Sequence, residues 1–515
     1  MYETSTLTTV LIGASVTLVA YIIWYFYDAF QYWKRRGIPE IKPAIFPFGN
    51  TLNLYLGKET FGEVFANAYL EFKRRGKKHG GIYYMNKPVY IPVDPEIIKK
   101  IIISDAHYFP NHSMYISPKD DILSGHLFNM EDREWKTLRT KTPSIFTSAK
   151  MRKMYLIMQR MVDPYKGWLD KFCETKEAVD IKSVVSRFTT DIICACAFGI
   201  DTNTLKLENE ELLHHARMFF DYQWKLSKNT VVMTLPRRLL QAIKFRIFPK
   251  STEKYVIDMF TDIFNYRKQN DVFRNDLTDT LMRLTEKNED EKDYTGENVI
   301  EPMDIKEFSC QMFLFLCAGF ETSSSTQTFA LYELAKNPDV QSKLRNEINR
   351  VLAKHDNKMT YDALMDIKYL EHCVDETLRM YPIFPILGRG CKEDYPIPGT
   401  DFTLEKGTFV MVTNLGIHRD PEYYPNPLQF DPERWTYENS LNRPFVANLP
   451  FGEGPRICVG KRFGLLQTKL GLATLIKDYE ISLSDKTTKG FKFVSSQLIL
   501  RKEGDIWINL KKVKS

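Results

Sequence analysis

The sequence predicts a mainly helical protein with a minor strand part, preceded by one helix that spans a membrane. Apolar residues recur at helical spacing through most of residues 130–285, for example across Met151–Val162. Another helical pattern runs over about Asp304–Lys336, and a third covers Lys461–Ile476. The clearest strand-like segment, Ile82–Val93, is short and contains prolines. Helix therefore dominates the expected fold.

The amino terminus predicts the membrane helix. The segment from Thr4 to Tyr27 has no charged residue, and as a helix it would span about 36 Å, against about 30 Å for a bilayer core. Its last residues are aromatic, and Lys34, Arg35 and Arg36 follow, which favours a cytosolic location for the rest of the chain. A cleaved signal peptide is the alternative, but no basic region precedes the apolar stretch.

We expect three parts in the chain: a membrane anchor at 1–33, a basic and proline-rich hinge at 34–50, and a catalytic domain at 51–515. Prolines in the hinge keep its backbone extended and stop the helix from continuing. No second linker or repeat follows. The charged segment Glu286–Glu301 is expected to be an exposed loop before a long helix.

The bulk composition excludes some classes of function. The formal charge of +6 is small for 515 residues and is spread along the chain, so nucleic-acid binding is not predicted. The eight cysteines show neither the spacing of a disulfide framework nor a Cys-x-x-Cys pair. We therefore expect reduced cysteines and no thioether attachment of a cofactor.

The most informative segment is Phe451–Gly460, which reads Phe-Gly-Glu-Gly-Pro-Arg-Ile-Cys-Val-Gly. Glycine allows a tight loop and lets the main chain approach a flat ligand closely. The segment resembles the thiolate loop of the cytochrome P450 family, Phe-x-x-Gly-x-Arg-x-Cys-x-Gly. The residues that match it are Phe451, Gly454, Arg456, Cys458 and Gly460. A lone cysteine would be interpreted as a buried structural residue, but this set favours a metal ligand.

This resemblance covers about residues 30–510 and implies the cytochrome P450 fold, a large helical domain with a small strand-rich domain. It also implies haem b, iron protoporphyrin IX bound without covalent attachment, with the thiolate of Cys458 as its axial ligand. A thiolate pushes electron density onto the iron and favours O–O cleavage. Loop amides and the start of the next helix would stabilise the sulfur, and Phe451 would cover its side of the haem.

The run Ala318-Gly-Phe-Glu-Thr322 lies within the long helical pattern and resembles the oxygen-binding groove of the family. The resemblance implies that Ala318 and Gly319 make room for dioxygen. Thr322 would hold a water and donate a proton, and Glu321 would assist proton delivery. A glycine followed by hydroxyl residues also predicts a local helix distortion. Taken alone, the run fits a buried helix with small packing residues equally well.

Four residues are expected to bind the haem propionates. Trp135 and Arg139 match the family's Trp-x-x-x-Arg helix and could bind through indole N–H and guanidinium groups. Arg389 and Arg456 are the other two. Relatives often carry arginine near His112, so this histidine is either a replacement contact or a solvent-exposed residue.

Glu376, Arg379 and Arg434 resemble the family's Glu-x-x-Arg and Pro-x-Arg-Phe motifs, with Trp435 in place of phenylalanine. The resemblance implies a buried charge triad that stabilises the core around the thiolate loop. We assign these residues a structural role, not a catalytic one.

The chain looks most like insect microsomal P450s of the family-6 type. That likeness implies a single-pass protein of the endoplasmic reticulum membrane, with its catalytic domain on the cytosolic side. NADPH–cytochrome P450 reductase would supply electrons, and cytochrome b5 is a second partner. An acidic donor would dock on a basic patch: Lys136, Lys141, Arg152, Lys153, Lys461 and Arg462.

The expected reaction inserts one oxygen atom from O2 into a lipophilic small molecule, such as a plant toxin or an insecticide. Residues carried over by position as substrate contacts are mostly apolar: Phe109, Tyr115, Phe219, Phe220, Phe313, Cys317, Ile383, Phe384 and Leu498. Oxidation of an endogenous steroid, fatty acid or hydrocarbon is the alternative. An oxygen-independent isomerase or dehydratase, or a non-catalytic carrier, is less compatible with Glu321 and Thr322.

Overall fold

A computed structural model describes residues 2–228, 235, 237–288, 295–296, 301–495 and 497–513. The predicted loop Glu286–Glu301 lies largely outside these residues. The helices of the amino-terminal half are α1 Tyr2–Ala29, α2 Tyr32–Arg35, α3 Leu52–Tyr55, α4 Phe61–Arg74, α5 Pro95–Lys99, α6 Asp132–Lys141, α7 Ser148–Gln159, α8 Val162–Thr175, α9 Ile181–Ile193, α10 Glu210–Lys228 and α11 Arg237–Ala242. Those that follow are α12 Lys250–Gln269, α13 Leu277–Arg283, α14 Ile305–Lys336, α15 Pro338–Ala353, α16 Tyr361–Asp366, α17 Lys368–Met380, α18 Asn414–His418, α19 Tyr437–Ser440 and α20 Lys461–Asp478.

The strands form three small sheets. Their bounds are β1 His79–Tyr84, β2 Lys87–Pro92, β3 Val179–Asp180, β4 Leu387–Gly390, β5 Tyr395–Pro396, β6 Thr403–Leu404, β7 Phe409–Val412, β8 Tyr479–Leu483 and β9 Trp507–Lys512. The largest sheet has the order β1-β2-β7-β4. In it β4 runs antiparallel to β7, with Arg389 opposite Val410. The other sheets have the orders β3-β9-β8 and β5-β6.

The central helix α14 begins and ends where its sequence signals predict. Asp304 caps its first turn, and Glu307 returns a bond to the Asp304 amide, which completes a capping box. The helix ends at Lys336, just before Pro338, whose ring cannot continue it. Most of its side chains are buried, so packing on all sides adds to the local signals.

The structure has two apolar cores, in agreement with the large helical domain and the small strand-rich domain that the resemblance implies. A large core lies among the helices around α9, α14, α17 and α20. A smaller core lies against the β1-β2-β7-β4 sheet and includes the fully buried Trp33, whose indole N–H donates to the Ile82 carbonyl at 2.9 Å. The Pro39 carbonyl accepts from the Gly81 amide at 2.8 Å, so the hinge contacts this sheet. The boundaries at residues 33 and 50 stay a prediction.

Among the described residues, one helical stretch, Thr8–Ala29, is long and apolar enough to cross a membrane. Its apolar window has none of its surface buried against the rest of the protein. This agreement with a membrane anchor rests on length and composition, criteria that a signal sequence also satisfies.

Candidate active site

The loop before α20 requires glycine at two positions. Gly452 and Gly454 have φ of +68° and +73°, in the left-handed region that favours glycine. A Cβ on Gly454 would also lie 1.9 Å from the Ile102 carbonyl oxygen. The Cys458 amide donates to the Phe451 carbonyl at 3.0 Å, which closes the loop. The loop therefore holds Cys458 at a fixed place in front of the helix.

The thiol of Cys458 opens onto an internal cleft. Its surface is exposed, yet burial raises the pKa of the thiol, so the exposed face lies within the protein and not on its outer surface. The Gly460 amide, Arg139 and Lys461 act in the opposite direction and lower that pKa. The Arg139 guanidinium also donates to the Ile457 carbonyl at 3.0 Å, beside the cysteine. These groups favour the thiolate, the form that binds a metal.

One short face in the middle of α14 is open although most of the helix is buried. Ala318 is exposed, and Gly319 and Thr322 are half-buried. The Thr322 hydroxyl donates to the Ala318 carbonyl at 2.8 Å. A Cβ on Gly319 would lie 2.6 Å from Cγ1 of Ile193, so the close approach of α9 also requires glycine there. The helix is α-helical throughout, and the expected distortion does not interrupt it.

Glu321 is directed toward α9. Its carboxylate accepts from Lys182 at 2.8 Å, and the same ammonium group donates to Ser324 and Ser325 at 2.8 and 2.9 Å. A small pocket of about 30 Å³ adjoins this ammonium group and is also lined by Asp505. Burial lowers the pKa of Lys182, and Glu321 opposes that shift. Sequence reasoning missed Lys182, because the two residues are 139 positions apart.

Three arginines at the edge of the site have no carboxylate of the described residues at salt-bridge distance, although Glu131 and Asp132 act on Arg456 from further away and raise its pKa. Within the described part of the chain, Arg139, Arg389 and Arg456 have no carboxylate oxygen within 4.0 Å. Burial lowers the pKa of Arg456 to about 9 and that of Arg389 to about 10. The Arg456 guanidinium lies 3.7 Å from the ring centroid of Trp135. Three clustered cations of this kind are suited to an anionic ligand.

His112 belongs to this group and is not a surface residue. Its Nδ1 atom lies 3.2 Å from a guanidinium nitrogen of Arg389. Its ring stacks on Phe128, with centroids 4.3 Å apart and 14° between the planes. Burial, followed by Arg389 and Arg456, keeps the pKa of His112 well below its ordinary value. The imidazole is therefore neutral at physiological pH.

These residues fit a flat, dianionic metal cofactor. A thiol opens onto a cleft, a loop of glycines keeps the main chain close, and three guanidinium groups without carboxylate partners lie at one edge. The indole N–H of Trp135 has no acceptor within the described residues, which leaves it available to the same ligand. Haem presents the matching groups: iron, a planar ring and two carboxylates.

The predicted charge triad is confirmed as a contact. Arg379 donates to both carboxylate oxygens of Glu376 at 2.8 Å, and both side chains are fully buried. Arg434 Nε lies 3.3 Å from the same carboxylate, and the Trp435 indole donates to it at 3.1 Å. Arg379 also donates to the His418 carbonyl at 2.8 Å. This network lies beneath the cysteine loop, because the His418 ring accepts from the Leu449 amide at 3.1 Å.

The residues expected to contact the substrate do not all lie in one place. Phe219 contacts Phe220 and Phe313, with ring centroids 5.1 and 5.5 Å apart, and Phe384 is 6.5 Å from Phe220. These rings form an aromatic wall. The placement of Phe109 is wrong: it is buried in the strand-side core, where its ring packs edge-on against Tyr395 at 5.0 Å. Position along the chain could not distinguish the two cores.

The expected basic patch is partly neutralised. Arg152 donates two bonds to Asp362, at 2.9 and 2.7 Å, although both side chains are exposed. Arg462 donates to the Ser148 hydroxyl at 3.5 Å, near the same surface. Arg152 therefore attracts an acidic electron donor less strongly than an arginine without a carboxylate partner would.

The comparisons with known proteins agree with this geometry. The family model described as Cytochrome P450 matches residues 39–509. Cytochrome P450 6a8 of Drosophila melanogaster is 36% identical over 98% of this chain and 100% of its own length. Cytochrome P450 6a2 of the same organism is 34% identical over 98% of this chain and 100% of its length. Cytochrome P450 6k1 of Blattella germanica is 35% identical over 91% of this chain and 90% of its length. The chain therefore belongs to the cytochrome P450 family of haem-thiolate monooxygenases.

Proposed function

We propose that this protein inserts one oxygen atom from O2 into lipophilic xenobiotics, such as plant toxins or insecticides, at the endoplasmic reticulum. The observation that carries the proposal is the exposed thiol of Cys458 on a cleft whose edge holds guanidinium groups that donate to carbonyl and amide oxygens but to no carboxylate of the described residues. The aromatic wall of Phe219, Phe220, Phe313 and Phe384 supports a neutral, apolar substrate.

The cofactor is haem b, which when bound supplies the activation of dioxygen. Cys458 is its protein ligand, and Gly460, Arg139 and Lys461 stabilise the thiolate. Arg389, Arg456, Arg139 and Trp135 hold the propionates. Phe451 would cover the thiolate side. These roles are those implied by the family resemblance, and the mutual proximity of Arg139, Arg389 and Arg456 supports them.

The open face of α14, which we call the groove, consists of Ala318, Gly319 and Thr322 and would deliver protons during the reaction. Ala318 and Gly319 leave space at its open face, and the Thr322 hydroxyl holds a water there while it donates to the Ala318 carbonyl. The carboxylate of Glu321, one residue away, is held in place by Lys182. Glu321 would assist proton delivery to the threonine, and the small pocket lined by Lys182 would admit water on that side.

Electrons come from NADPH through NADPH–cytochrome P450 reductase, with cytochrome b5 as a second donor. Both would approach the thiolate side, where Lys461 follows the cysteine loop. The apolar helix Thr8–Ala29 supports a membrane location with the catalytic domain on the cytosolic side.

The experiment is the absorbance spectrum of the reduced full-length protein under carbon monoxide. Thiolate ligation gives a strongly red-shifted Soret band, and Cys458→Ser should abolish it while Cys391→Ser, at a second free cysteine that is buried, should retain it. A histidine-like band in the wild type would overturn the proposal. Lipophilic compounds should shift the Soret band of the oxidised protein; shifts only with highly charged compounds would exclude the apolar substrate.

A further inference from the structure

Three successive carbonyls in the groove of α14 accept side-chain hydrogen bonds. The Ala318 carbonyl accepts from Thr322 at 2.8 Å, the Gly319 carbonyl from Gln467 at 2.6 Å, and the Phe320 carbonyl from Thr189 at 3.1 Å. A carbonyl oxygen has two lone pairs and can take such a bond beside its helical one. The donors come from α14, α20 and α9, so neighbouring helices fix the groove from both sides.

Gln467 makes the most extensive of these contacts. Its side chain is fully buried, and its amide nitrogen donates to both the Gly319 carbonyl and the Ser323 hydroxyl, the latter at 2.7 Å. These two acceptors lie three residues before and one residue after Thr322. The amide therefore contacts α14 on both sides of Thr322, at the backbone carbonyl of Gly319 and at the side-chain hydroxyl of Ser323.

The helix that carries Gln467 also carries the cysteine loop. Gly460 caps α20, and the helix begins at Lys461, three residues after Cys458. Six further residues correspond to about 9 Å along a helix axis. One helix thus begins just after the cysteine loop and carries, about two turns later, the side chain that contacts the open face of α14.

We infer that Gln467 is a positioning residue that sets the geometry of the oxygen groove relative to the thiolate. It touches no reacting atom; it acts through Gly319 and Ser323 on the hydroxyl of Thr322. The inference rests on the proposed function, since a groove has this role only in an oxygenase. Glutamate at this position would keep the shape but, when ionised, could only accept hydrogen bonds, and so would repel the Gly319 carbonyl.

The chain offers a matched control one turn along α14. Gln327 is fully buried at the same interface, and within the described residues neither of its amide atoms has a hydrogen-bond partner. The α20 backbone approaches it so closely that a Cβ on Gly471 would lie 2.1 Å from its side-chain oxygen. Replacing Gln327 therefore removes an equally buried amide that makes no hydrogen bond to the residues of the groove.

The test compares Gln467→Met, Gln467→Glu and Gln327→Met in the full-length protein with haem. All three should keep the thiolate band under carbon monoxide. We expect both Gln467 variants to shift the infrared stretching frequency of bound carbon monoxide. They should also raise the peroxide formed per NADPH by about tenfold, below the hundredfold that a 1 Å misplacement can cost. Gln327→Met should match the wild type in both measurements.

Two outcomes overturn the inference: a wild-type stretching frequency and coupling in Gln467→Met, or an equal change in Gln327→Met. If Gln467→Met does not fold, Gln467→Asn replaces it, because it keeps a polar group but withdraws the amide by one methylene. Failure of the proposed function is distinguishable in the wild type, which would then either lack the thiolate band or fail to oxidise lipophilic compounds with NADPH and O2; failure of the inference leaves both properties of the wild type intact.

Discussion

The ammonium group of Lys182 lies 2.8 Å from a carboxylate oxygen of Glu321, across the interface between α9 and α14. The side chains are 21% and 10% exposed, so the pair is mostly shielded from water. The hydroxyls of Ser324 and Ser325 accept the other two bonds of the ammonium group. With all three donors used, Lys182 fixes the direction of the one carboxylate next to Thr322.

Lys182→Met should destabilise the protein by about 3 kcal/mol, because Glu321 would remain buried without its counter-ion. Urea unfolding of the haem-loaded protein measures this loss. The double variant Lys182→Met/Glu321→Gln removes both charges and should recover most of it. If the double variant is as unstable as the single one, the two charges are not coupled.

Local sequence signals account for much of the site. The motif spacing in the sequence predicted the cysteine loop, and the apolar pattern that ends before Pro338 predicted the bounds of α14. The Glu376–Arg379 pair was predictable because residues three apart on a helix lie side by side. At each of these positions the signal comes from residues that are neighbours in the sequence: a capping residue, closely spaced glycines, or opposite charges one helical turn apart.

Contacts between distant segments could not be predicted in this way. Gln467 and Gly319 are 148 positions apart, and nothing in the local pattern of α20 distinguishes Gln467 from a surface residue. The same limit explains the misplacement of Phe109, since an aromatic residue is equally suited to either core. His112 also had no local signal for its contact with Arg389, which lies 277 positions away.

Thr322→Ala should leave haem bound and divert electrons to peroxide, with productive turnover lower by about tenfold or more. The reason is that the hydroxyl on the open face of α14 would no longer hold a water. NADPH, peroxide and product are measured together. Thr326→Ala is the control: this hydroxyl lies one turn further on and donates to the Thr322 carbonyl at 2.9 Å, but it is buried. Equal coupling in the wild type and Thr322→Ala would remove the threonine from the proton path.

Arg379→Lys should destabilise the protein by about 3 kcal/mol and loosen haem retention. Lysine cannot reproduce the two parallel bonds to Glu376 while also donating to the His418 carbonyl. Unfolding in urea and haem transfer to an apo-globin measure the two effects. Arg152→Ala removes an equally bidentate pair with Asp362, but that pair is exposed, so little change is expected. Similar losses in both variants would mean that burial of the triad is unimportant.

His418 should make the protein sensitive to acid. Burial, with Arg379 nearby, lowers the pKa of this histidine to about 3, and its ring accepts from the Leu449 amide just before the cysteine loop. The unfolded chain, with an ordinary histidine pKa near 6.5, binds the proton first as pH falls. The stability that the neutral ring contributes is therefore complete above about pH 6.5 and is lost as pH falls toward 3.

The measurement is the free energy of unfolding between pH 7 and pH 5. His418→Gln, whose amide oxygen can still accept from Leu449, should remove about 1 kcal/mol per pH unit from the average slope over this range, and about 1.4 kcal/mol per pH unit at its acid end, where the unfolded histidine binds a full proton. His107→Gln, at an exposed histidine, is the control for loss of an imidazole outside the buried network. An unchanged slope in His418→Gln would show that the ring does not titrate on unfolding. A reduced slope would connect acid sensitivity to the same network that joins Arg379 to the cysteine loop.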